Sequence, residues 1–423
     1  MVKEITPISH PVRLAVCVPG SKSITNRALI CASLAKGESV IRNASDSTDT
    51  AMMANGLNQL GVLVRKRDDA LIVDGTGGKL YAPKFPIPVG NAGTTLRFML
   101  SLAALATGKT VFDGSDRMAE RPIAELLDAL NQCGVRASAG GVLPRYVVEG
   151  GSLRGGAVQV KAERSSQFLS SLLMVAPYAL SDSEITLDGE VASAPYVDLT
   201  LAVMRAFGVE VKNADRRFQV EAKRNYHPAE FFVEPDASGA SYFLGAAAIL
   251  GGEVLVREMR LNSLQGDAKF ASVLQRMGCV VQETNDGVML RRDGALRGID
   301  ADMNSMPDVV PTLAVVALFA ESPTRIRNVA HLRHKESDRL EALHTELSKL
   351  GAQVVLVDDG LEIVPAPLHA AQLDTNDDHR LAMSFALAGL KAPGVRIENP
   401  DCVRKSFPKF WSEWEKLYAS QST

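Results

Sequence analysis

Val40-Ile41-Arg42-Asn43 has the pattern of a β-strand end, and segments of the same kind recur five more times along the chain. Each copy places an apolar residue second, a charged residue third and Asn, Gly or Glu last. The other copies end at Gly114, Gly189, Glu258, Asn328 and Asn399. Neighbouring copies lie 69 to 75 residues apart. Such even spacing indicates six duplicated structural units.

A second marker in five of these units is a glycine that follows an apolar helix-like segment. Glycine is the expected residue just past the end of a helix. After each glycine come alternating apolar residues, a short turn and a further strand, which is the pattern of a hairpin. The glycines are Gly61, Gly134, Gly208, Gly278 and Gly351. Each unit is therefore predicted to have the order βαβαββ.

The sixth unit lacks its last strands, because the sequence stops soon after Trp414. We expect residues 3–18 to complete it, which places both termini in one domain. The predicted domains are then 1–19 with 235–423, and 20–234, with crossings near Pro19-Gly20 and Glu234-Pro235, where proline suits a bend. Two sequential domains remain the alternative.

Composition indicates an ordinary soluble protein of 423 residues, with 46% apolar residues, 22% charged residues and a formal charge of -3. Near-neutral charge gives no general attraction to nucleic acid or to a membrane. The five cysteines are scattered without a Cys-x-x-Cys pair, and no signal peptide or membrane-spanning run is found. We expect a cytoplasmic protein with no structural metal.

The predicted first helices of the six units begin with residues that suit anion binding. Helix N-termini expose unpaired N–H groups and a partial positive charge. Ser, Thr and Asp at such positions usually only cap the helix. Lys22, Arg27 and Arg380, however, oppose the helix dipole and suggest a bound anion. The six starts are Ser21-Lys22-Ser23, Asn91-Ala92-Gly93-Thr94, Ser165-Ser166-Gln167, Asp236-Ala237-Ser238, Pro307-Asp308 and Asp377-Asp378-His379-Arg380.

Competing motifs fail on inspection. Gly108-Lys109-Thr110 resembles the end of a P-loop, but it follows a helix and precedes a strand, which is the reverse order. No Gly-x-Gly-x-x-Gly opens a helix after a strand. His331 and His334 lack the pattern of a metal site. By contrast, Glu336 and Arg339 stand three apart, so on a helix they share a face, and the carboxylate is a candidate proton donor.

Pro19-Gly20-Ser21-Lys22-Ser23-Ile24-Thr25-Asn26-Arg27 closely resembles the phosphate-binding start of the 5-enolpyruvylshikimate-3-phosphate (EPSP) synthases. Further motifs match in order over nearly the whole chain: Gly90 to Thr94, Arg117 to Ile123, Ser165 to Phe168, Pro307-Asp308 and Lys335 to Leu340. The resemblance implies an α/β fold, a two-domain inside-out α/β barrel of six βαβαββ repeats. Three repeats form each domain, with the active site in the cleft between them.

The resemblance also implies the activity, transfer of the enolpyruvyl group of phosphoenolpyruvate to shikimate 3-phosphate, with Asp308, Glu336 and Lys22 as catalytic residues. It implies a shikimate 3-phosphate site at Lys22, Ser23, Arg27, Ser165, Ser166, Gln167, Ser193, Tyr196, Asp308, His331 and Lys335. It implies a phosphoenolpyruvate site at Lys22, Gly93, Arg121, Gln167, Arg339, Arg380 and Lys405. We expect no cofactor and no metal, a monomer, and glyphosate binding at the phosphoenolpyruvate site beside Gly93.

Two positions depart from the family pattern. His331 stands where asparagine is common, and Phe98 stands where many members have proline.

Two other functions stay open. A sister transferase that acts on UDP-N-acetylglucosamine typically carries a reactive cysteine in the loop matching residues 114–118, and none is present here. A non-catalytic anion-binding protein would need cations but not both Asp308 and Glu336.

Overall fold

The computed structural model describes residues 1–140 and 145–419, and its chain divides into two compact units. The continuous unit is Gly20–Val233, and the split unit consists of Met1–Pro19 and Glu234–Thr423. The chain therefore passes between units after Pro19 and again after Val233.

The helices alternate with strands throughout both units. In chain order they are α1 (Lys22–Leu34), α2 (Thr48–Gln59), α3 (Gly93–Ala103), α4 (Asp116–Glu120), α5 (Ala124–Gln132), α6 (Gln167–Val175), α7 (Pro195–Ala206), α8 (Ala237–Leu250), α9 (Phe270–Arg276), α10 (Val310–Ala317), α11 (Arg339–Lys349), α12 (His379–Gly389), α13 (Phe410–Trp414) and α14 (Lys416–Ala419). The six predicted helix starts correspond to α1, α3, α6, α8, α10 and α12. A 3-10 turn, Pro307–Val309, precedes α10.

In the described residues the strands are short and form six small sheets. In chain order they are β1 (Val2–Glu4), β2 (Val12–Val16), β3 (Lys36–Arg42), β4 (Leu63–Arg67), β5 (Ala70–Thr76), β6 (Ile87–Gly90), β7 (Gly108–Gly114), β8 (Arg136–Ala139), β9 (Arg145–Gly150), β10 (Gly156–Lys161), β11 (Ser183–Asp188), β12 (Lys212–Ala214), β13 (Arg217–Val220), β14 (Glu230–Phe232), β15 (Gly252–Arg257), β16 (Val280–Thr284), β17 (Gly287–Arg292), β18 (Asp300–Asp302), β19 (Thr324–Arg327), β20 (Gln353–Val357), β21 (Gly360–Val364), β22 (Gln372–Leu373) and β23 (Arg396–Glu398).

One topology repeats in the sheets. In β6-β7-β9-β8, strands β6 and β7 are parallel, β9 lies antiparallel to β7, and β8 lies antiparallel to β9. The sheets β10-β11-β13-β12 and β14-β3-β5-β4 follow the same order in the continuous unit. The split unit contains β16-β17-β15-β2, β18-β19-β21-β20 and β1-β23-β22. The described residues thus form the six repeats that the sequence predicts, five with a four-stranded sheet and the sixth, β1-β23-β22, with three strands.

The prediction that residues 3–18 complete the sixth repeat is only partly right. Strand β1 does pair antiparallel with β23, and Val2 lies opposite Glu398. Strand β2, however, pairs in parallel with β15 and completes the fourth repeat. In the same way β14 pairs in parallel with β3 and completes the first repeat. Strand β2 lies just before the chain enters the continuous unit, and it supplies the first strand of the fourth repeat. Strand β14 lies just before the chain leaves that unit, and it supplies the first strand of the first repeat.

Six helices form the cores, and the sheets cover them. All residues of α8, α10 and α12 are buried. In α1, α3 and α6 the residues not buried are Ser23, Thr94 and Gln167 respectively. These three lie in the first turns of their helices, so the continuous unit exposes its core helices only at their N-terminal ends.

Backbone conformation explains the two sequence markers. The five helix-ending glycines all have positive φ, between 78° and 110°, a region that glycine enters without a steric penalty. The residues after β3, β11, β15, β19 and β23 also have positive φ: Asn43, Gly189, Glu258, Asn328 and Asn399. Asn and Gly tolerate this conformation best, which accounts for their recurrence at strand ends.

Candidate active site

The core helices of the continuous unit begin without side-chain caps. Neither Ser21 before α1, Ala92 before α3 nor Ser166 before α6 makes a side-chain capping hydrogen bond. In the split unit, Asp236 and Asp378 do cap α8 and α12. Open N-termini present backbone N–H groups and a partial positive charge to an anion. The continuous unit is thus suited to bind anions, and the split unit already holds carboxylates at its helix ends.

Lys22 is held at the start of α1 by an ion pair that the sequence analysis missed. Its Nζ donates to Asp49 Oδ2 at 2.7 Å, and both side chains are buried. The carbonyl of Asp49 in turn accepts from Thr95 Oγ1 at 3.1 Å. Lys22 is therefore placed jointly by α2 and α3. The positive charge of Lys22, which opposes the dipole of α1, is thus paired with the carboxylate of Asp49.

Arg27 is a buried cation with neutral partners. Its guanidinium donates to Thr200 Oγ1, Ser170 Oγ and the carbonyls of Ser23 and Tyr196. Within the described part of the chain, Arg27 forms no ion pair with a carboxylate. Burial lowers its pKa to about 10, so it stays charged at neutral pH. An uncompensated buried cation favours a site for an anionic or hydroxyl-rich ligand.

Phe98 is fully buried in the core and also contacts this cation. The Arg27 guanidinium carbon lies 5.2 Å from the centre of the Phe98 ring and 5.7 Å from that of Tyr196. Cation–π contacts at such distances are favourable, more so when desolvated. Phe98 therefore packs as an ordinary core residue and at the same time links α3 to Arg27.

Gly93 and Arg121 lie in direct contact. The Arg121 guanidinium donates to the carbonyl and side-chain oxygens of Asn91 at 3.0 and 3.2 Å. A methyl group added at Gly93 would lie 2.6 Å from the Arg121 guanidinium carbon. The absence of a side chain at position 93 is thus what lets Arg121 lie across the start of α3.

The remaining predicted residues of the continuous unit lie near α6 and α7. Ser165 and Ser166 are buried at the start of α6, and Ser165 Oγ accepts from the N–H of Gln167. Ser193 is buried with φ of 59°, in the left-handed region. A serine in that region costs free energy, and such residues concentrate at functional sites. Ser193 comes shortly before α7, which carries Tyr196 in its first turn.

In the split unit one guanidinium binds three carboxylates. Arg339, which is fully buried, donates to Asp308 Oδ1 at 2.9 Å, Glu336 Oε2 at 3.1 Å and Asp378 Oδ2 at 2.8 Å. The predicted pairing of Glu336 with Arg339 is present, although Glu336 lies in the loop before α11 and not on a helix. Arg339 therefore holds the two predicted acid–base residues in one hydrogen-bonded group.

Arg380 binds the other oxygen of Asp308. Its Nη2 donates to Asp308 Oδ2 at 3.1 Å, and its Nη1 donates to the hydroxyl of Tyr242 at 3.4 Å. Asp378, the cap of α12, accepts from the backbone N–H of Arg380 at 2.9 Å. Asn376 and Asp377, just before this cap, both have positive φ. This tight left-handed turn sets the start of α12 and hence the position of Arg380.

Electrostatics keep Asp308 ionised. Burial by itself raises its pKa, but the charges of Arg380, Arg339 and Lys335 outweigh burial and hold the pKa well below its usual range. Burial would lower the pKa of Arg339, yet Asp378, Glu336 and Asp308 raise it. A neighbouring carboxyl behaves in the opposite way: burial, followed by repulsion from Asp308, raises the pKa of Asp267 to about 7.

Two further predicted cations flank this group. Lys335 directly precedes Glu336, and its charge is one of those acting on Asp308. Lys405 ends the 3-10 turn Pro400–Lys405, which packs against α12. Both side chains are partly exposed.

His331 is buried and neutral. Burial, followed by the charge of Lys335, lowers its pKa to about 3. A neutral imidazole offers one N–H donor and one acceptor nitrogen. Asparagine, which is common at this position in the EPSP synthases, offers an NH₂ donor group and an acceptor oxygen. The departure from the family pattern thus preserves an uncharged hydrogen-bonding group.

His331→Asn is expected to make stability less sensitive to acid. The unfolded chain protonates this histidine below about pH 6.5 and the folded protein does not until about pH 3, so stability falls as pH falls in that window. Between pH 7 and 5 the wild type should lose about 2 kcal/mol more unfolding free energy than the variant. Urea unfolding at both pH values measures this. His227→Asn, a change at an exposed histidine, is the control. Equal losses of unfolding free energy in the wild type and His331→Asn would contradict a neutral His331 in the folded protein.

Several residues in these groups were not predicted from sequence. Asp49, Arg97, Asp378, Tyr242 and Asp267 all contact or perturb predicted site residues. The sequence signal for Asp378 was only that of a helix cap. The partners of Asp49 and Arg97 lie 27 and 70 residues away along the chain, so no local pattern reveals them.

The described residues 1–140 and 145–419 contain neither a metal-binding cluster nor a membrane-spanning helix. No group of three or more His, Cys, Asp or Glu side chains there is arranged to hold a metal ion. None of the helices in those ranges has the length and apolar character needed to cross a membrane.

Comparison with known proteins decides the family. Residues 7–414 match the family of EPSP synthases (3-phosphoshikimate 1-carboxyvinyltransferases). The chain belongs to the EPSP synthase family. The 3-phosphoshikimate 1-carboxyvinyltransferase of Syntrophobacter fumaroxidans is 46% identical, and the match covers 99% of this chain and 100% of that protein. The enzyme of the same name from Serratia proteamaculans is 45% identical over 99% of each chain.

The fold agrees with this family membership. The structure of EPSP synthase from Acinetobacter baumannii superposes with a TM-score of 0.82, covering 98% of each chain at 24% identity. At that identity the likeness concerns the fold, and it supports the predicted two-domain α/β architecture of an EPSP synthase family member.

Proposed function

We propose that this chain transfers the enolpyruvyl group of phosphoenolpyruvate to the 5-hydroxyl of shikimate 3-phosphate and releases phosphate. Family membership supports the reaction. The observation that carries the catalytic assignment is the single guanidinium of Arg339 bound to both Asp308 and Glu336. Anion binding alone needs cations, whereas this arrangement keeps Asp308 and Glu336 together on one guanidinium that Asp378 also binds.

The proposed shikimate 3-phosphate contacts use the uncapped helix starts and the buried cation of the continuous unit. Arg27 and the serines near α6 and α7 offer donors to the phosphate and hydroxyl groups. Charge-assisted hydrogen bonds of this kind are stronger than neutral ones. The full proposed set is Lys22, Ser23, Arg27, Ser165, Ser166, Gln167, Ser193, Tyr196, Asp308, His331 and Lys335.

The proposed phosphoenolpyruvate contacts are cations and donors that hold its phosphate and carboxylate. Arg121 lies across Gly93, and Lys22 lies at the start of α1. Such cations offset repulsion between the two substrates, each of which carries a phosphate and a carboxylate. The full proposed set is Lys22, Gly93, Arg121, Gln167, Arg339, Arg380 and Lys405.

The chemistry is an addition followed by an elimination. Asp308 takes the proton of the 5-hydroxyl as the hydroxyl oxygen bonds to C2 of the enolpyruvyl group. Glu336, a carboxylate partner of Arg339 in the free protein, takes up a proton when the substrates bind and gives it to C3. In the elimination, the Glu336 carboxylate takes a proton back from C3 as the bond between C2 and the phosphate oxygen breaks. The departing phosphate takes up the proton that Asp308 removed from the 5-hydroxyl, with Lys22 near its bridging oxygen. Substrate anions that bind Arg380 and Lys335 reduce the positive field that keeps the pKa of Asp308 low. Asp308 thus becomes a stronger base when the substrates are bound.

Phosphate release tests this function directly. The purified chain is expected to release phosphate from phosphoenolpyruvate only when shikimate 3-phosphate is present. Release with UDP-N-acetylglucosamine instead would assign the sister reaction. Binding of both anions without any release would indicate a non-catalytic protein.

Gly93→Ala is expected to raise the KM for phosphoenolpyruvate about tenfold, because the new methyl displaces the Arg121 guanidinium and weakens charged hydrogen bonds worth about 1.5–3 kcal/mol. The KM for shikimate 3-phosphate should change less than about threefold. The inhibition constant of glyphosate, expected at the same site, should rise more than the KM does, because glyphosate is the longer molecule.

Steady-state kinetics of Gly93→Ala, Arg121→Ala and the double variant test the route of this effect. If the methyl acts through Arg121, the double variant should be no worse than Arg121→Ala. Gly294→Ala is the control, since its methyl would meet nothing within 4 Å. An unchanged KM for phosphoenolpyruvate in Gly93→Ala would remove Gly93 from the site.

A further inference from the structure

Arg97 is a buried residue of α3 whose guanidinium contacts a proposed ligand residue. Its Nη1 donates to Gln167 Oε1 at 2.8 Å, and its Nη2 donates to the carbonyl of Pro122 at 2.9 Å. Its guanidinium carbon also lies 5.3 Å from the centre of the Phe168 ring. The backbone carbonyl and the ring fix the plane of the guanidinium, so the position of Nη1 is set independently of Gln167.

This contact determines which end of the Gln167 amide faces Arg97. A guanidinium only donates hydrogen bonds, so the amide atom beside it must be the oxygen. The amide nitrogen then points away from Arg97 and donates to Thr94 Oγ1 at 3.1 Å. Without Arg97 the two ends of the amide are nearly equivalent in shape, and either end could turn toward a ligand.

The second N–H of the amide is the group that remains for a ligand. Gln167 and Thr94 are the partly exposed residues of helices that are otherwise buried. An amide held with its nitrogen outward offers a donor, which suits an anionic oxygen or a hydroxyl. The reverse orientation would place the carbonyl oxygen there and repel an anion.

We propose that Arg97 is a positioning residue that locks the Gln167 amide with its N–H group toward the substrate, without touching the substrate itself. The proposal rests on the function proposed above. Arg97 binds the oxygen of the Gln167 amide and Thr94 binds its nitrogen. A substitution at either residue should therefore affect substrate binding by changing the orientation of Gln167. Gln167 is a proposed contact of both substrates, and the effect is measured on phosphoenolpyruvate because α3 also carries Gly93 against Arg121.

A double-mutant cycle tests this coupling. Arg97→Met keeps an unbranched side chain against Phe168 and is expected to raise the KM for phosphoenolpyruvate about tenfold, the effect of losing an oriented hydrogen bond to an anion. Gln167→Ala should give a similar increase. If Arg97 acts through Gln167, the double variant should match Gln167→Ala within about twofold. Arg97→Lys retains the charge but not both contacts, and should fall between wild type and Arg97→Met.

Thr94→Val provides a second cycle that leaves the buried cation in place. It should raise the KM for phosphoenolpyruvate about threefold, and this increase should vanish in the Gln167→Ala background. The proposal would be overturned if the KM increases of the single variants multiplied in both double variants. It would also be overturned if Arg97→Met lowered the thermal midpoint and left the KM for phosphoenolpyruvate unchanged, since Arg97 would then have only a structural role. A wild type that releases no phosphate would instead refute the function on which the proposal rests.

Discussion

Asp308→Asn is expected to lower turnover by at least about 10²-fold, since positioned proton transfer contributes about 10²- to 10⁴-fold. Asparagine keeps the shape of the side chain but cannot take the proton of the 5-hydroxyl. The change also alters the hydrogen bonds, because the two oxygens of Asp308 accept from different guanidinium groups. Asparagine has one oxygen, so either Arg339 or Arg380 must face an NH₂ group. The KM for phosphoenolpyruvate should therefore rise as well.

Turnover at saturating substrates and separate KM values for the two substrates measure these effects. Asp302→Asn is the matched control, an exposed aspartate in the strand that precedes the Pro307–Val309 turn. It should behave like the wild type. Turnover of Asp308→Asn within tenfold of the wild type would rule out Asp308 as the base.

Glu336→Gln is expected to lower turnover by at least about 10²-fold with both KM values nearly unchanged. Glutamine retains an oxygen that can accept from Arg339 Nη2, so the local structure is preserved. Arg339 also keeps its contacts with Asp308 and Asp378. The variant has no carboxyl group that can take up a proton and give it to C3 of the enolpyruvyl group.

Single-turnover measurements separate this loss from slow product release. Glu341→Gln, which changes an exposed carboxylate in the first turn of α11, serves as the control. Near-normal turnover in Glu336→Gln would show that another group protonates C3. The contrast with Asp308→Asn lies in the KM for phosphoenolpyruvate, which should rise only in the aspartate variant.

The repeats could be predicted from sequence because their signals are local. A glycine such as Gly61 ends a helix by its own conformational freedom, and an asparagine such as Asn43 ends a strand in the same way. The order of helices and strands within each repeat follows from those two markers. The partner of β2 was predicted wrongly because strand pairing is set by distant residues, here Val12–Val16 with Gly252–Val256.

The candidate site was predicted less completely than the fold. Motifs identified cations such as Lys22 and Arg339, but not the carboxylates Asp49 and Asp378 that hold them. Those pairings depend on side chains that meet only after the core helices have packed. The neutral state of His331 likewise follows from burial beside Lys335, which no sequence pattern records.

The pairing of β1 with β23 constrains the order of events during synthesis. Val2 lies opposite Glu398, so this sheet cannot form until nearly 400 residues have been translated. At about 5–20 residues per second, the N-terminal strand waits about 20–80 s for its partner. The corresponding delay in the continuous unit is shorter, because β3 waits only for β14, and all the strands of its three sheets are present once Phe232 has been added. A nascent chain can therefore complete one half of this protein while its first residues still lack the strand against which they will pair.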